Sequence, residues 1–79
     1  MKQFIVQEKD IKKRRTFYNY LHNNFKLKDD CENMIESTFP FVVDFNDNSL
    51  WVCSSITCLA CASQNNKIIS INEFKERMM

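Results

Sequence analysis

The chain has 79 residues, 44% of them apolar and 27% charged, with no Gly, one Pro and four Cys. That length holds one domain (residues 1–79) with a modest core and a stability of a few kcal/mol. The missing Gly excludes a Walker loop, a dinucleotide fingerprint and a nucleophile elbow, each of which needs Gly where backbone meets phosphate or turns sharply. Net charge is +1, unevenly spread: residues 1–28 carry eight basic and two acidic side chains, residues 29–79 three and eight. A basic third joined to an acidic remainder suits a polyanion-binding face or head-to-tail self-association, a homodimer included.

Lys2 to Val6 reads as a short strand. Gln7-Glu8-Lys9-Asp10 ends that apolar run too early for a signal peptide. From about Glu8 to Asn24 the pattern is helical, with Ile11, Phe17, Tyr18, Leu21 and Phe25 in one sector. Arg14 falls in the middle of that sector, so it is expected to snorkel or to pair with an acid. Tyr20 falls outside it, which makes it the aromatic most exposed by expectation.

A second helix is predicted from Asp29, with Asp29 as N-cap, Glu32 completing a capping box, Cys31, Met34 and Ile35 on its apolar face, and Pro40 as terminator. Phe41–Phe45 and Leu50–Ser54 read as strands joined by a hairpin over Asn46-Asp47-Asn48-Ser49. Without Gly, that cluster and Asn65-Asn66 are the places suited to positive φ. The small residues of Ser55–Gln64 favour a short helix, with a continuing strand as the alternative. Lys67–Ser70 reads as a strand. Ser70 and Glu73 then fit a capping box, with Ile69 and Phe74 as its hydrophobic staple, opening a helix over Ile71–Arg77.

Four groups of residues bear on chemistry. Cys31, Cys53, Cys58 and Cys61 include one C-x-x-C and would be the ligands of any zinc site. A single knuckle and a single His, His22, favour buried thiols instead, and no cofactor is expected. Lys12, Lys13, Arg15 and Tyr20 lie in a basic aromatic segment of the kind that binds RNA or single-stranded nucleic acid, where phosphates meet cations and bases stack on rings. The acids Asp29, Asp30, Glu36 and Asp47 form part of a base-free run suited to docking on a basic partner. Trp51 is the interface anchor if it is exposed. With one His and no converging carboxylates, the chain is not expected to be an enzyme.

Phe39-Pro40-Phe41-Val42-Val43-Asp44, Trp51-Val52-Cys53-Ser54-Ser55 and Ile68-Ile69-Ser70-Ile71-Asn72-Glu73-Phe74 together resemble very short accessory proteins of tailed bacteriophages. The resemblance covers roughly half of the chain and contains no catalytic motif. It implies a non-enzymatic protein, an inhibitor in some cases, acting by stoichiometric binding to a host protein or toxin in the host cytoplasm.

The sequence thus predicts an α+β domain with a two- or three-stranded sheet, a central hairpin and three or four short helices. It predicts a cytoplasmic binding protein whose partner is a protein, with RNA binding and a small zinc module as alternatives. No apolar stretch approaches the ~18 residues of a membrane span, so no membrane partner is expected.

Overall fold

The computed structural model describes residues 3–53, 55–64 and 66–78, without the side chains of 61–63. The elements run β1 (Gln3–Val6), α1 (Ile11–Asn24), β2 (Lys28–Asp29), β3 (Phe41–Asp44), β4 (Ser49–Val52), α2 (Ile56–Ser63), β5 (Ile68–Ile69) and α3 (Ile71–Met78). The five strands form one mixed sheet in the order β2-β4-β3-β1-β5. Only β3 runs against its neighbours; β1–β5 and β2–β4 are parallel pairs.

This α+β sheet is larger than the two- or three-stranded one predicted. Both edge strands are two residues long; β5 falls within the strand expected at Lys67–Ser70, whereas β2, wholly polar, was not expected. A strand that short carries no period-two alternation. Its pairing comes from backbone alone: Lys28 donates to Asn48 O at 2.7 Å and Asp30 to Leu50 O at 3.0 Å.

The central hairpin forms as predicted, with Val43 opposite Leu50 and Phe41 opposite Val52. Asn48 takes a φ of 56° in its turn, and Asn33 does the same in the connection between β2 and β3. Asn pays the smallest penalty there once Gly is missing. The other turn residue singled out, Asn65, lies outside the described residues. A helix does form at Ile56–Ser63.

Register sorts the strand residues onto two faces. Phe4, Val6, Phe41, Val43, Leu50, Val52 and Ile69 pack with Phe17 and Leu21 of α1 and Phe74 of α3. Four of the twelve buried residues of this core are Phe. Phe17 meets Phe41 at 5.6 Å and Phe74 at 5.3 Å between ring centroids, Phe4 meets Phe74 at 5.4 Å, and all three contacts are edge-on. Such rings each bury a large area, which is how a short chain assembles enough core. On the other face Ile5 and Val42 are also fully buried, with Trp51 and Ile68 beside them in register.

Residues 29–39 do not form the predicted second helix. Asp29 is a strand residue, and Asn33 with positive φ interrupts the helical path. What remains is a single turn in which Ser37 donates to Asn33 O at 3.2 Å. The carbonyls that a helix would have satisfied are satisfied by Arg14. Its Nε donates to Ile35 O at 3.0 Å, Nη2 to Met34 O at 2.5 Å, and Nη1 to both Phe39 O at 2.9 Å and Glu8 O at 2.5 Å. The guanidinium also lies 4.2 Å from the centroid of the Phe41 ring.

Arg14 therefore neither snorkels nor pairs with an acid; it is completely buried. Burial pushes its pKa down, and the nearby charge of Glu8 opposes that. It remains protonated, because guanidinium loses its proton only far above neutrality. Ile11, expected in the core sector, is instead half exposed at the start of α1, where Asp10 caps the helix by accepting from Lys12 N at 2.9 Å and Lys13 N at 3.3 Å.

Removing Arg14 would leave the Met34, Ile35, Phe39 and Glu8 carbonyls without this donor. Arg14→Ala is expected to destabilise the domain by more than about 3 kcal/mol, which approaches its whole stability. Arg14→Lys should recover little, since one ammonium cannot reach carbonyls spread around a planar fork. Urea unfolding followed by Trp51 fluorescence measures both; a midpoint unchanged in Arg14→Ala would refute the account.

Candidate functional site

Two clefts flank α1, one acidic and one basic. The acidic cleft, about 430 Å³, is lined by Tyr18, Asp29, Cys31, Glu32, Asn33, Met34, Ile35 and Glu36. It contains three of the carboxylates in the base-free run and no basic side chain. Its apolar lining residues are Met34, buried in the core cluster, and Ile35, half-buried. Arg14 fixes the backbone of its wall through Met34 O and Ile35 O.

Asp29 is oriented by two side chains of α1 spaced one helical turn apart. Tyr18 Oη donates to Asp29 Oδ2. His22 Nε2 lies 2.8 Å from Asp29 Oδ1, a close polar approach without the alignment of a hydrogen bond. The Tyr18 and His22 rings are 4.5 Å apart. The hydrogen bond to Asp29 is the main cause that pushes the Tyr18 hydroxyl up to about 12, with desolvation and the carboxylate charge adding to it. Asp29 is thus not the helix cap the sequence predicts. It is held at a cleft rim.

The other acidic candidates are dispersed. Asp30 is exposed just beyond β2, and Glu36 lies in the cleft. Asp47 is in the β3–β4 turn, beside the position where Lys28 bonds to Asn48. Trp51 is half-buried on the sheet face opposite the one that α1 covers, so it shares no surface with the cleft.

The basic cleft, about 450 Å³, lies between α1 and the start of α3. Lys12, Lys13 and Lys75 line it with Thr16, Ser70, Asn72, Glu8, Phe17 and Ile71. Arg15 is exposed on α1 but does not line it. Tyr20, expected to be the freest aromatic, is half-buried. One face stacks on Phe17 at 6.3 Å, and Lys75 Nζ sits 4.7 Å from its centroid. Both that cation and Phe17 occupy positions a base would need. His22, the other ring suited to stacking by sequence, is engaged by Tyr18 and Asp29.

The cysteines partly converge. Burial pushes Cys53 up to about 11, reinforced by the hydrogen bond that its thiol donates to Cys58 and by the proximity of Cys58 and Cys31. Cys31 Sγ lies 3.9 Å from Val52 O. No group of three or more His, Cys, Asp or Glu among the described residues is placed to hold a metal ion. The Cys61 side chain lies outside them. Among the described residues no helix is long and apolar enough to cross a membrane.

Comparison with family models, with characterised proteins and with solved structures finds no match to this chain. Its functional reading therefore rests on the two clefts. Sequence reasoning missed Tyr18 and His22 as a pair, although four-residue spacing on one helix face was a usable signal. It also missed Thr16, Ser70, Asn72 and Lys75, which meet Lys12 and Lys13 only through tertiary packing.

Tyr18 provides a direct test of the acidic rim. Its 13Cζ resonance should titrate near pH 12, and Asp29→Asn should bring that transition down toward 10. Because the folded pKa exceeds the unfolded value of about 10, folding favours the neutral hydroxyl. The stability this contributes is whole below pH 10 and is lost as pH rises through 12. An identical titration in Asp29→Asn would rule out the assignment. Cys53, fully buried with its thiol held protonated, should resist iodoacetamide in the native protein and react on unfolding. Rapid native alkylation at Cys53, read by peptide mass, would contradict this.

Proposed function

We propose that the protein is a non-enzymatic binding protein that receives a basic segment of a partner protein in the cleft between α1 and residues 29–36. The observation that carries this reading is the chemistry of the cleft's lining: three carboxylates beside the apolar side chains of Met34 and Ile35, with no basic residue. An Arg or Lys side chain has the matching form, an apolar stem with a charged head. Met34 and Ile35 receive the stem, while Asp29, Glu32 and Glu36 meet the charge.

Preorganisation supports the same reading. Binding costs less when the receiving groups are already fixed. Here Tyr18 and His22 hold Asp29, and Arg14 holds the backbone behind Met34 and Ile35. Stoichiometric occupation of a partner is also the mode of action that the resemblance to phage accessory proteins implies. Asp30 and Asp47 contribute to long-range attraction of a basic partner and need no contact for that.

The nucleic-acid reading draws on Lys12, Lys13 and Arg15 but has a poor stacking platform, because Tyr20 is half-buried and already in contact with Phe17 and Lys75. It is the alternative that the following experiment distinguishes.

A fluorescein-labelled peptide of alternating Arg and Leu and a uridine dodecamer serve as probes, with binding followed by anisotropy and by 1H–15N shifts. The peptide should bind and shift the amides of Tyr18 and Cys31–Glu36. The paired change Glu32→Gln with Glu36→Gln should weaken it about tenfold, near 1.4 kcal/mol. Raising salt should weaken it further. Binding of the dodecamer alone, with shifts at Lys12, Lys13 and Arg15, would overturn the proposal in favour of nucleic acid.

A further inference from the structure

We infer that the cleft between α1 and α3 is a second, independent site, one that binds a small organic phosphomonoester. The starting observation is an excess of positive charge in a concave place. Lys12, Lys13 and Lys75 line one cleft of about 450 Å³, and none of them forms an ion pair among the described residues. Surface lysines are ordinarily dispersed or matched with acids. Three of one sign around a concavity focus the field there and draw in an anion.

The single acid on the lining is already engaged. Glu8 Oε2 accepts the amide N–H groups of Lys9 and Asp10, each at 3.1 Å. Its charge also acts on buried Arg14. Glu8 keeps its charge and offsets one of the three lysines, so the lining retains a positive excess.

The cations are placed by packing. Lys12 and Lys13 follow Asp10, whose carboxylate fixes their amides in the first turn of α1. Lys75 is held over the Tyr20 ring, which rests on Phe17. A lysine is a flexible side chain, and ordering it before the anion arrives removes part of the entropic cost of binding.

The polar groups between the lysines are donors. Ser70 Oγ accepts Glu73 N–H at 3.1 Å, which leaves its hydroxyl hydrogen free to donate into the cleft. The Asn72 side chain supplies an amide. Point-charge cations together with hydroxyl and amide donors suit a tetrahedral phosphate, whereas a carboxylate is matched best by the planar fork of Arg. Arg15 does not line the cleft. The aliphatic stem of Ile71 and the edge of Phe17 leave room for an organic body next to the phosphate, but no exposed ring on which a chain of bases would stack. This favours a small molecule of mononucleotide size over a nucleic-acid strand.

Adenosine 5′-monophosphate, inorganic phosphate and adenosine are the probes, titrated into the full chain and followed by 1H–15N shifts. The monophosphate should give saturable shifts at Lys12, Lys13, Asn72 and Lys75. Inorganic phosphate should shift the same amides more weakly, and adenosine should not shift them. Lys12→Gln with Lys13→Gln should weaken the monophosphate at least tenfold, while the shifted ring resonances of Phe17 and Phe74 report an intact core. Lys75→Gln, on the other wall, should weaken it as well. The Glu32→Gln, Glu36→Gln variant should bind it unchanged, which separates this site from the acidic cleft. Equal shifts with adenosine, no saturable shift with the monophosphate, or full retention in both lysine variants would each overturn the inference.

Discussion

The guanidinium of Arg14 is the interaction on which the rest of this structure hangs. It is a permanently charged group sealed inside a small domain, and its neutralising surroundings are carbonyl dipoles instead of a carboxylate. Four carbonyl bonds and the face of Phe41 replace its water. The arrangement works in both directions. The irregular backbone of residues 34–39 needs donors that no helix supplies, and a buried Arg needs acceptors. Each is the answer to the other's burial. This also joins α1 to the segment that carries the acidic rim, so the clamp that stabilises the fold is the one that shapes the candidate site.

What the sequence revealed follows the length scale of the signal. The hairpin of β3 and β4, the capped start of α3 and the extent of α1 rest on patterns confined to about ten neighbouring residues, and all were legible. The Ser70 cap and the buried pair Ile69 and Phe74 are in place. The helix expected at Asp29 shows the limit. Its local signals were sound, but Asp29 found partners in Tyr18, His22 and the backbone of β4, and a capping propensity of ~1 kcal/mol does not withstand such competition. Strand β2 was invisible because two polar residues have no period, whereas β5 lies within the strand expected at Lys67–Ser70. Arg14 in an apolar sector was the clue to the clamp, yet three of its four acceptors are twenty or more residues away in the chain.

The candidate sites were legible in part for the same reason. Charge asymmetry along the chain marked out Lys12 and Lys13 from Asp29 and Glu36. It did not show that α1 stands between them as a divider, with opposite fields on its two sides. Tyr20 illustrates how little a helical wheel says about exposure in a domain with a second helix on the same sheet face. A ring placed on the polar side of α1 became a support for Lys75, once α3 folded across it.

The order of strands carries a consequence for how the chain reaches this state. β1 hydrogen-bonds only to β3 and β5, so Ile5 pairs with Val42 on one side and with Ile68 on the other. Nothing near it in sequence is its partner. On the ribosome the first forty residues have a helix to form but no sheet to join, and β1 stays an unpaired strand until the hairpin emerges. Closure of the sheet waits longer still, for a two-residue strand close to α3. Such long-range pairing slows folding relative to a helical bundle of equal size, and it makes the apolar Phe4-Ile5-Val6 run the segment most in need of protection during synthesis.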